Sequence, residues 1–227
     1  MLRHGYANTR SGRHRRMCFI LGLCGMLRDG AESGLVVRYR VTENGAGAPP
    51  SVTFLPGSDV WLETDPEAGT FIHLDISRDK NLKSGELRHT YIPSTIPGLD
   101  LHPVNELLNY LVEMRPPSSG FLLVAAVGNT GFNANEPTTI SSAFTEAYTR
   151  ACGATGASKR VSSHSGRKTM ATLLWNAGWC KRVLHDIGHW AIPKTVVDIY
   201  FHTARSLILR AMASVGGTAA RATRTRN

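Results

Sequence analysis

His164-Ser165-Gly166-Arg167 sets an imidazole and a guanidinium one helical turn apart, and Trp190 and Tyr200 follow downstream. On a helix that spacing gives two neighbours on one face, so both groups can address a single point. The helix itself is legible. Met170, Leu173, Leu174 and Ala177 recur at the interval that buries one side, and Gly178 follows as a glycine stop. Lys181–Ile187 reads as a second short helix leading to Gly188-His189-Trp190, after which an apolar run reaches Tyr200. A histidine, an arginine, a ring N–H donor and a late tyrosine are the groups needed to attack a phosphodiester with a phenol.

The reason is charge. A phosphodiester repels anionic nucleophiles, and its transition state concentrates negative charge on the non-bridging oxygens. Arginine answers with a planar fork that gives phosphate two parallel hydrogen bonds and keeps its proton. A preorganised donor of this kind contributes roughly 3–4 kcal/mol. A tyrosine hydroxyl, with a pKa of about 10, becomes a useful nucleophile where neighbouring cations favour its phenolate. The leaving sugar oxygen needs a proton, so a lysine or histidine acid must stand close.

Read in full, His164-Ser165-Gly166-Arg167-Lys168-Thr169-Met170, then Asn176-Ala177-Gly178, Ile187-Gly188-His189-Trp190 and Ile199-Tyr200-Phe201-His202 resemble the C-terminal signature of the tyrosine recombinases, the phage integrase family. In that family His-x-x-Arg is followed by a histidine or tryptophan donor and then by the tyrosine nucleophile. The family's spacing matches the donor to Trp190, and His189, one step earlier, is the alternative. The interval from Trp190 to Tyr200 is slightly longer than the family's and contains Pro193.

The resemblance extends upstream. Gly25-Met26-Leu27-Arg28 resembles the segment that holds the family's first catalytic arginine, with Glu32 near the place of its downstream glutamate. Without the later motifs, Arg28 reads as a helix-end arginine pairing with Asp29 or Glu32. Thr70–Ile76 alternates apolar and polar residues as a half-exposed strand does, and Leu87–Ile92 returns after Ser77–Gly85. This hairpin resembles the one whose turn delivers a lysine general acid. Lys80 takes that position, Lys83 is the second candidate, and a solvated turn is the alternative.

The resemblance implies that Tyr200 attacks the scissile phosphate of double-stranded DNA and forms a 3′-phosphotyrosyl bond. Arg28 and Arg167 hold the non-bridging oxygens, Trp190 adds a donor, Lys80 protonates the leaving 5′-oxygen and His164 assists proton transfer. It implies no metal and no nucleotide cofactor, because the covalent bond stores the energy for rejoining. It also implies a homo-oligomer, a tetramer on two DNA sites. Family members carry an N-terminal helical domain that completes a clamp around DNA. Few residues precede the first buried helix here, which suggests a fragment, a minimal form or a relic. The alternatives are a non-catalytic DNA-binding remnant and a type IB topoisomerase-like enzyme.

Composition agrees with a nucleic-acid partner. The chain has 227 residues, a formal net charge of +9 and a pI near 9.8, which favours an acidic partner. No apolar run approaches membrane-spanning length, and no cleavable signal peptide is legible, so an intracellular, DNA-associated protein is expected. The 4 cysteines fall at no metal-ligand spacing and read as reduced, mostly buried thiols. His185, His189 and His202 are not spaced as zinc ligands with a nearby carboxylate or thiol.

The expected fold is mainly α with a small antiparallel β-sheet (α+β), tyrosine recombinase catalytic-domain-like, over residues 17–215. Residues 1–16 form a basic lead-in whose arginines are either solvated or in contact with the DNA backbone. Residues 216–227 form a disordered basic tail. Met17, Ile20, Leu21 and Cys24 mark the first buried helix face, and strands are expected over Val36–Val41, Val52–Leu55 and Val60–Glu63. Val104–Val112 is an amphipathic helix ended by Arg115-Pro116-Pro117. Phe121–Val127 reads as a short buried strand, Gly128–Pro137 as a surface loop, and Ile140–Ala151 as a helix. Leu207–Met212 implies a last helix, docked on its own domain or on a neighbouring subunit.

Overall fold

The central helix starts at a hydroxyl. In the computed structural model, which describes residues 9–78, 82, 84–127, 131–134, 137–152, 163–188 and 205–215, Thr9 Oγ1 accepts the Gly12 N–H at 3.1 Å. That satisfies one of the donors a helix start leaves without an internal partner. Helix α1 runs Arg10–Cys24 and stops at Gly25. Met17, Cys18, Ile20, Leu21, Leu23 and Cys24 are all buried, as befits a helix enclosed on every side. Four helices pack on it: α2 (Asp29–Ser33), α3 (Pro103–Met114), α4 (Pro137–Cys152) and α5 (Ser163–Asn176).

Because α1 begins at Arg10, the basic residues Arg10, Arg13, Arg15 and Arg16 stand on its first turns. Arg13 pairs with Glu113 and Arg16 with Glu106, both on α3, while Arg15 pairs with Glu146 on α4. Arg10 donates to the Met114 carbonyl at 3.2 Å and lies 4.8 Å above the Phe132 ring. Partly exposed pairs like these contribute at most about 1 kcal/mol each; their effect is to orient α1 against α3 and α4. In α3, Pro103 pre-sets the first turn, Leu107, Tyr110, Leu111 and Met114 face the core, and Arg115 closes it in the left-handed region at φ 48.

The strands are antiparallel and divide into small sheets. β1 (Val36–Thr42) lies between β2 (Ser51–Phe54) and β6 (Ser119–Phe121); β4 (Gly69–Ile76) lies between β3 (Val60–Asp65) and β5 (Arg88–Pro93). β7 (Val124–Val127) pairs with β8 (Gly131–Ala134). Part of the expected surface loop at Gly128–Pro137 is therefore a strand: Phe132 packs against the core, and β8 supplies the partner that the backbone of β7 requires. Asp59 joins the two three-stranded sheets. Its carboxylate accepts the Val36 N–H at 2.8 Å, its own N–H donates to Val36 O at 2.8 Å, and its carbonyl accepts the Asp75 N–H at 2.8 Å. Burial pushes the Asp59 carboxyl above its usual range, although the Val36 N–H opposes the shift.

Two glycines decide how closely the helices approach. A Cβ on Gly22 of α1 would stand 2.4 Å from Phe144 Cζ and 2.5 Å from Glu32 Oε1. A Cβ on Gly166 of α5 would stand 2.5 Å from Phe144 Cε1 and 3.2 Å from the Gly22 carbonyl oxygen. Phe144 of α4 is fully buried and packs on Phe19 at 5.0 Å between centroids, so it has nowhere to retreat. Only hydrogen fits at these two positions.

The C-terminal part closes on the same body. α6 spans Lys181–Gly188 and α7 spans Arg205–Ala213. Ile208, Leu209, Ala211 and Met212 of α7 are buried, α7 packs on β5 and α6, and the Trp179 ring N–H donates to Ser214 Oγ at 2.6 Å. The last helix is thus docked on its own chain. Trp175 remains 49% exposed. Cys18 and Cys24 are buried free thiols as expected, while Cys180 is exposed.

Gly22→Ala and Gly166→Ala should each destabilise the fold by about 1–3 kcal/mol through overpacking, even after the helix-propensity gain of alanine. Urea unfolding measures this, and Phe144→Leu should partly rescue either variant. Tyr39 gives a second expectation. Its hydroxyl donates to Pro116 O at 2.6 Å, and burial pushes its pKa from 10.0 to about 12 against the pull of Arg115. Between those values the unfolded chain loses the proton and the folded chain keeps it. Stability therefore falls as pH rises through that window, by up to roughly 1.4 kcal/mol per pH unit. Urea melts across the window should show a shallower decline in Tyr39→Phe.

Candidate active site

α1 aims the first arginine. Past Gly25 the chain turns at Met26, which sits in the left-handed region at φ 50, an unusual conformation for a side-chain-bearing residue. Met26 and Leu27 are both buried, so packing holds the turn. Arg28 then caps the start of α2, and its carbonyl accepts the Glu32 N–H at 2.9 Å. Glu32 is wholly buried and lies against Gly22. Arg28 is half-buried, and its Nε and Nη1 are shielded from solvent.

The end of β4 passes over the same short helix. A Cβ on Gly34, the residue after α2, would stand 2.8 Å from Arg78 Cδ, and the Arg78 guanidinium lies 5.6 Å from the Phe121 ring. The loop that leaves β4 beyond Arg78 therefore starts at the end of α2.

The second arginine sits on α5. Arg167 is 3% exposed and donates to the carbonyl of Gly188, the last residue of α6. Carbonyls in the last turn of a helix have no partner within it and sit at the negative end of its dipole, so a guanidinium there is favourable twice over. The bond also ties α5 to the point where the chain enters His189-Trp190. His164, one turn before Arg167, is exposed. The two residues share a helix but not an environment: Gly166 and Arg167 face the α1 and α6 side, and His164 faces solvent.

Gly22 thus touches both halves of the arrangement, Glu32 of α2 and Gly166 of α5, with Phe144 wedged between the helices. The packing brings together the helix capped by Arg28, the helix bearing His164 and Arg167, the end of α6, and the end of β4. Lys80, Trp190 and Tyr200, with the alternatives Lys83 and His189, lie outside the described residues. Among the described residues, the His73, Asp75 and His89 side chains that could together hold a metal ion lie on the β3–β5 sheet and include none of Arg28, His164 and Arg167. Sequence reasoning sets Phe144 on an apolar helix face and Gly166 inside the His164–Arg167 motif, but it gives neither them nor Gly22 a role in the helix crossing. The available signal was a glycine inside an otherwise apolar helical pattern, which often marks a close approach.

One stretch of the chain, residues 102–206, matches the model of the phage integrase family. It contains His164, Arg167, Trp190 and Tyr200; Arg28 and Lys80 precede it. No curated protein matches the sequence. A solved structure titled "FLP Recombinase-Holliday Junction Complex I" aligns with a TM-score of 0.49 at 13% identity. The alignment covers 89% of this chain and 44% of that one, so the present chain spans less than half the length of that protein. No helix among the described residues is long and apolar enough to cross a membrane.

Arg167→Ala should lower stability by about 2 kcal/mol, since the Gly188 carbonyl loses a charged donor in a buried place. Arg167→Lys should recover only part of that, because an ammonium lacks the planar fork. His164→Ala should change stability by less than about 0.5 kcal/mol. Equilibrium urea unfolding of the three variants checks the contrast.

Proposed function

We propose that this chain cuts and rejoins double-stranded DNA through a 3′-phosphotyrosyl bond on Tyr200, acting in site-specific recombination or integration within a mobile element. The reading is supported by the phage integrase match over residues 102–206. The observation that carries it is the buried Arg167, held against the Gly188 carbonyl immediately before His189-Trp190. That bond supports reading Arg167 as one of the two phosphate-holding forks, close in the chain to the segment proposed to supply the donor.

In this mechanism the Tyr200 oxygen attacks phosphorus as its proton passes to His164. Arg28 and Arg167 hold the non-bridging oxygens, where the negative charge grows, and Trp190 adds a further donor. The bond to the 5′-oxygen breaks and Lys80 supplies that oxygen's proton. Rejoining is the reverse: a 5′-hydroxyl attacks the phosphotyrosine and Tyr200 leaves. One phosphodiester is exchanged for another, so no nucleotide energy source enters. The active unit is residues 17–215, and the working form is a homotetramer on two DNA sites, in the DNA-containing compartment of the cell. The net charge of +9 suits binding to a polyanion.

The test is covalent trapping on nicked suicide substrates built from candidate repeat DNA. Wild type should leave a protein–DNA adduct that maps by mass spectrometry to Tyr200, and Tyr200→Phe should leave none. Adduct should also form in excess chelator. Absence of adduct from wild type would replace this reading with a non-catalytic DNA-binding remnant. Relaxation of supercoils without exchange between two sites would replace it with topoisomerase-like activity.

A further inference from the structure

One face of the β3–β5 sheet gathers side chains that strand cleavage does not use. Alternation along paired strands sends Val60, Ile72, Leu74 and Ile92 into the core. Trp61 and Glu63 of β3, His73 and Asp75 of β4, and His89 and Tyr91 of β5 fall on the other face. Register then sets the neighbours: His73 stands opposite both Trp61 and Tyr91, and Asp75 stands opposite His89.

Three lone-pair atoms converge as a result. Nε2 of His73 lies 3.1 Å from Nδ1 of His89 and 3.3 Å from Oδ1 of Asp75, and these last two atoms are 2.6 Å apart. His73 is firmly oriented. It is 9% exposed, its ring lies 4.1 Å from Trp61 and 4.8 Å from Tyr91 between centroids, and its Nδ1 is 3.0 Å from Glu63 Oε2. An Nδ1–H donated to that carboxylate leaves Nε2 with its lone pair turned toward Asp75 and His89. Carboxylates orient metal-binding imidazoles in this way.

A cation at the centre answers all three atoms at once. Zinc-type bonds of about 2.0–2.2 Å at tetrahedral angles separate ligand atoms by about 3.3–3.6 Å. The two edges that end on His73 already approach this spacing. The third needs to widen, and the His89 side chain, 48% exposed, has room to move. Its exposure also leaves an entry path and an open coordination position on the solvent side. Two imidazoles and one carboxylate are a donor set that suits zinc and its neighbours over magnesium or calcium.

We propose that His73, Asp75 and His89 bind a divalent transition-metal ion of the zinc class, with Glu63 as the positioning residue for His73. Binding displaces any proton held on the ligand nitrogens and fastens β4 to β5 next to the strand ends at Ile76 and Arg88. The ion braces the hairpin and takes no part in phosphoryl transfer. The site stands or falls independently of the DNA reading.

The test uses the full chain, stripped with chelator, dialysed and titrated with zinc chloride in a calorimeter. Cobalt(II) absorption reports the coordination geometry. One ion should bind per chain, cobalt should give the intense visible bands of a tetrahedral site, and at a hundredfold excess over Kd the Tm should rise by roughly 5–10 °C. Asp75→Asn and His89→Gln, which lie at the accessible edge, should each abolish stoichiometric binding while keeping the metal-free circular dichroism. Glu63→Gln should weaken binding about 10–100-fold, and His185→Gln should leave it unchanged. Substoichiometric zinc on the wild type, or equal affinity in Asp75→Asn and His89→Gln, would overturn the proposal.

Discussion

The closest approach of α1 and α5 is the constraint on which the site depends. At Gly22 and Gly166 the helices meet with no room for a methyl group, and Phe144 fills the space beside them. Side chains on neighbouring turns are thereby given fixed positions. Gly166 immediately precedes Arg167, and Gly22 lies against Glu32, one turn after Arg28. A wider crossing would shift α2, which Arg28 precedes, relative to α5, which carries Arg167. The cost of two glycines inside helices, about 1 kcal/mol each relative to alanine, is offset by the packing they permit.

Charge is handled differently at the two ends of α1. At its start, arginines meet carboxylates of α3 and α4 near solvent, where screening keeps each pair weak and the result is orientation. Toward its end, Glu32 is wholly buried, and beyond the crossing Arg167 is buried against the end of α6. A charge in such surroundings is costly to place and strong in its effect once placed. A site for a phosphate needs cations of the second kind, held in position before the anion arrives.

Much of this was legible from local patterns. The apolar spacing of Val104, Leu107 and Leu111 gave α3 with its proline stop, and the spacing of Met170 and Leu174 gave α5 with Gly178 at φ 92 closing it. The hairpin of β4 and β5 followed from alternation. What was not legible is long-range. Nothing near Gly22 indicates that Gly166 and Phe144 will meet it, because that depends on three helices separated in sequence. His73 was expected on a half-exposed strand, and its burial arises from Trp61 and Tyr91 on the flanking strands. The chain spacing of His185, His189 and His202 offers no zinc set, whereas among the described residues His73 and His89 converge with a carboxylate through strand register alone. β8 was missed because a strand of four residues between turn formers has too little pattern to read.

The claim that Arg28 and Arg167 serve one phosphate is tested most directly by a double-mutant cycle on the rate of phosphotyrosine formation. Arg28→Ala, Arg167→Ala and the double variant are compared with wild type, all at a protein concentration that saturates the DNA. Residues acting as a unit give strongly non-additive losses, so the double variant should be only slightly slower than the slower single variant. Losses that multiply as independent factors, or an Arg28→Ala variant as fast as wild type, would contradict the shared site.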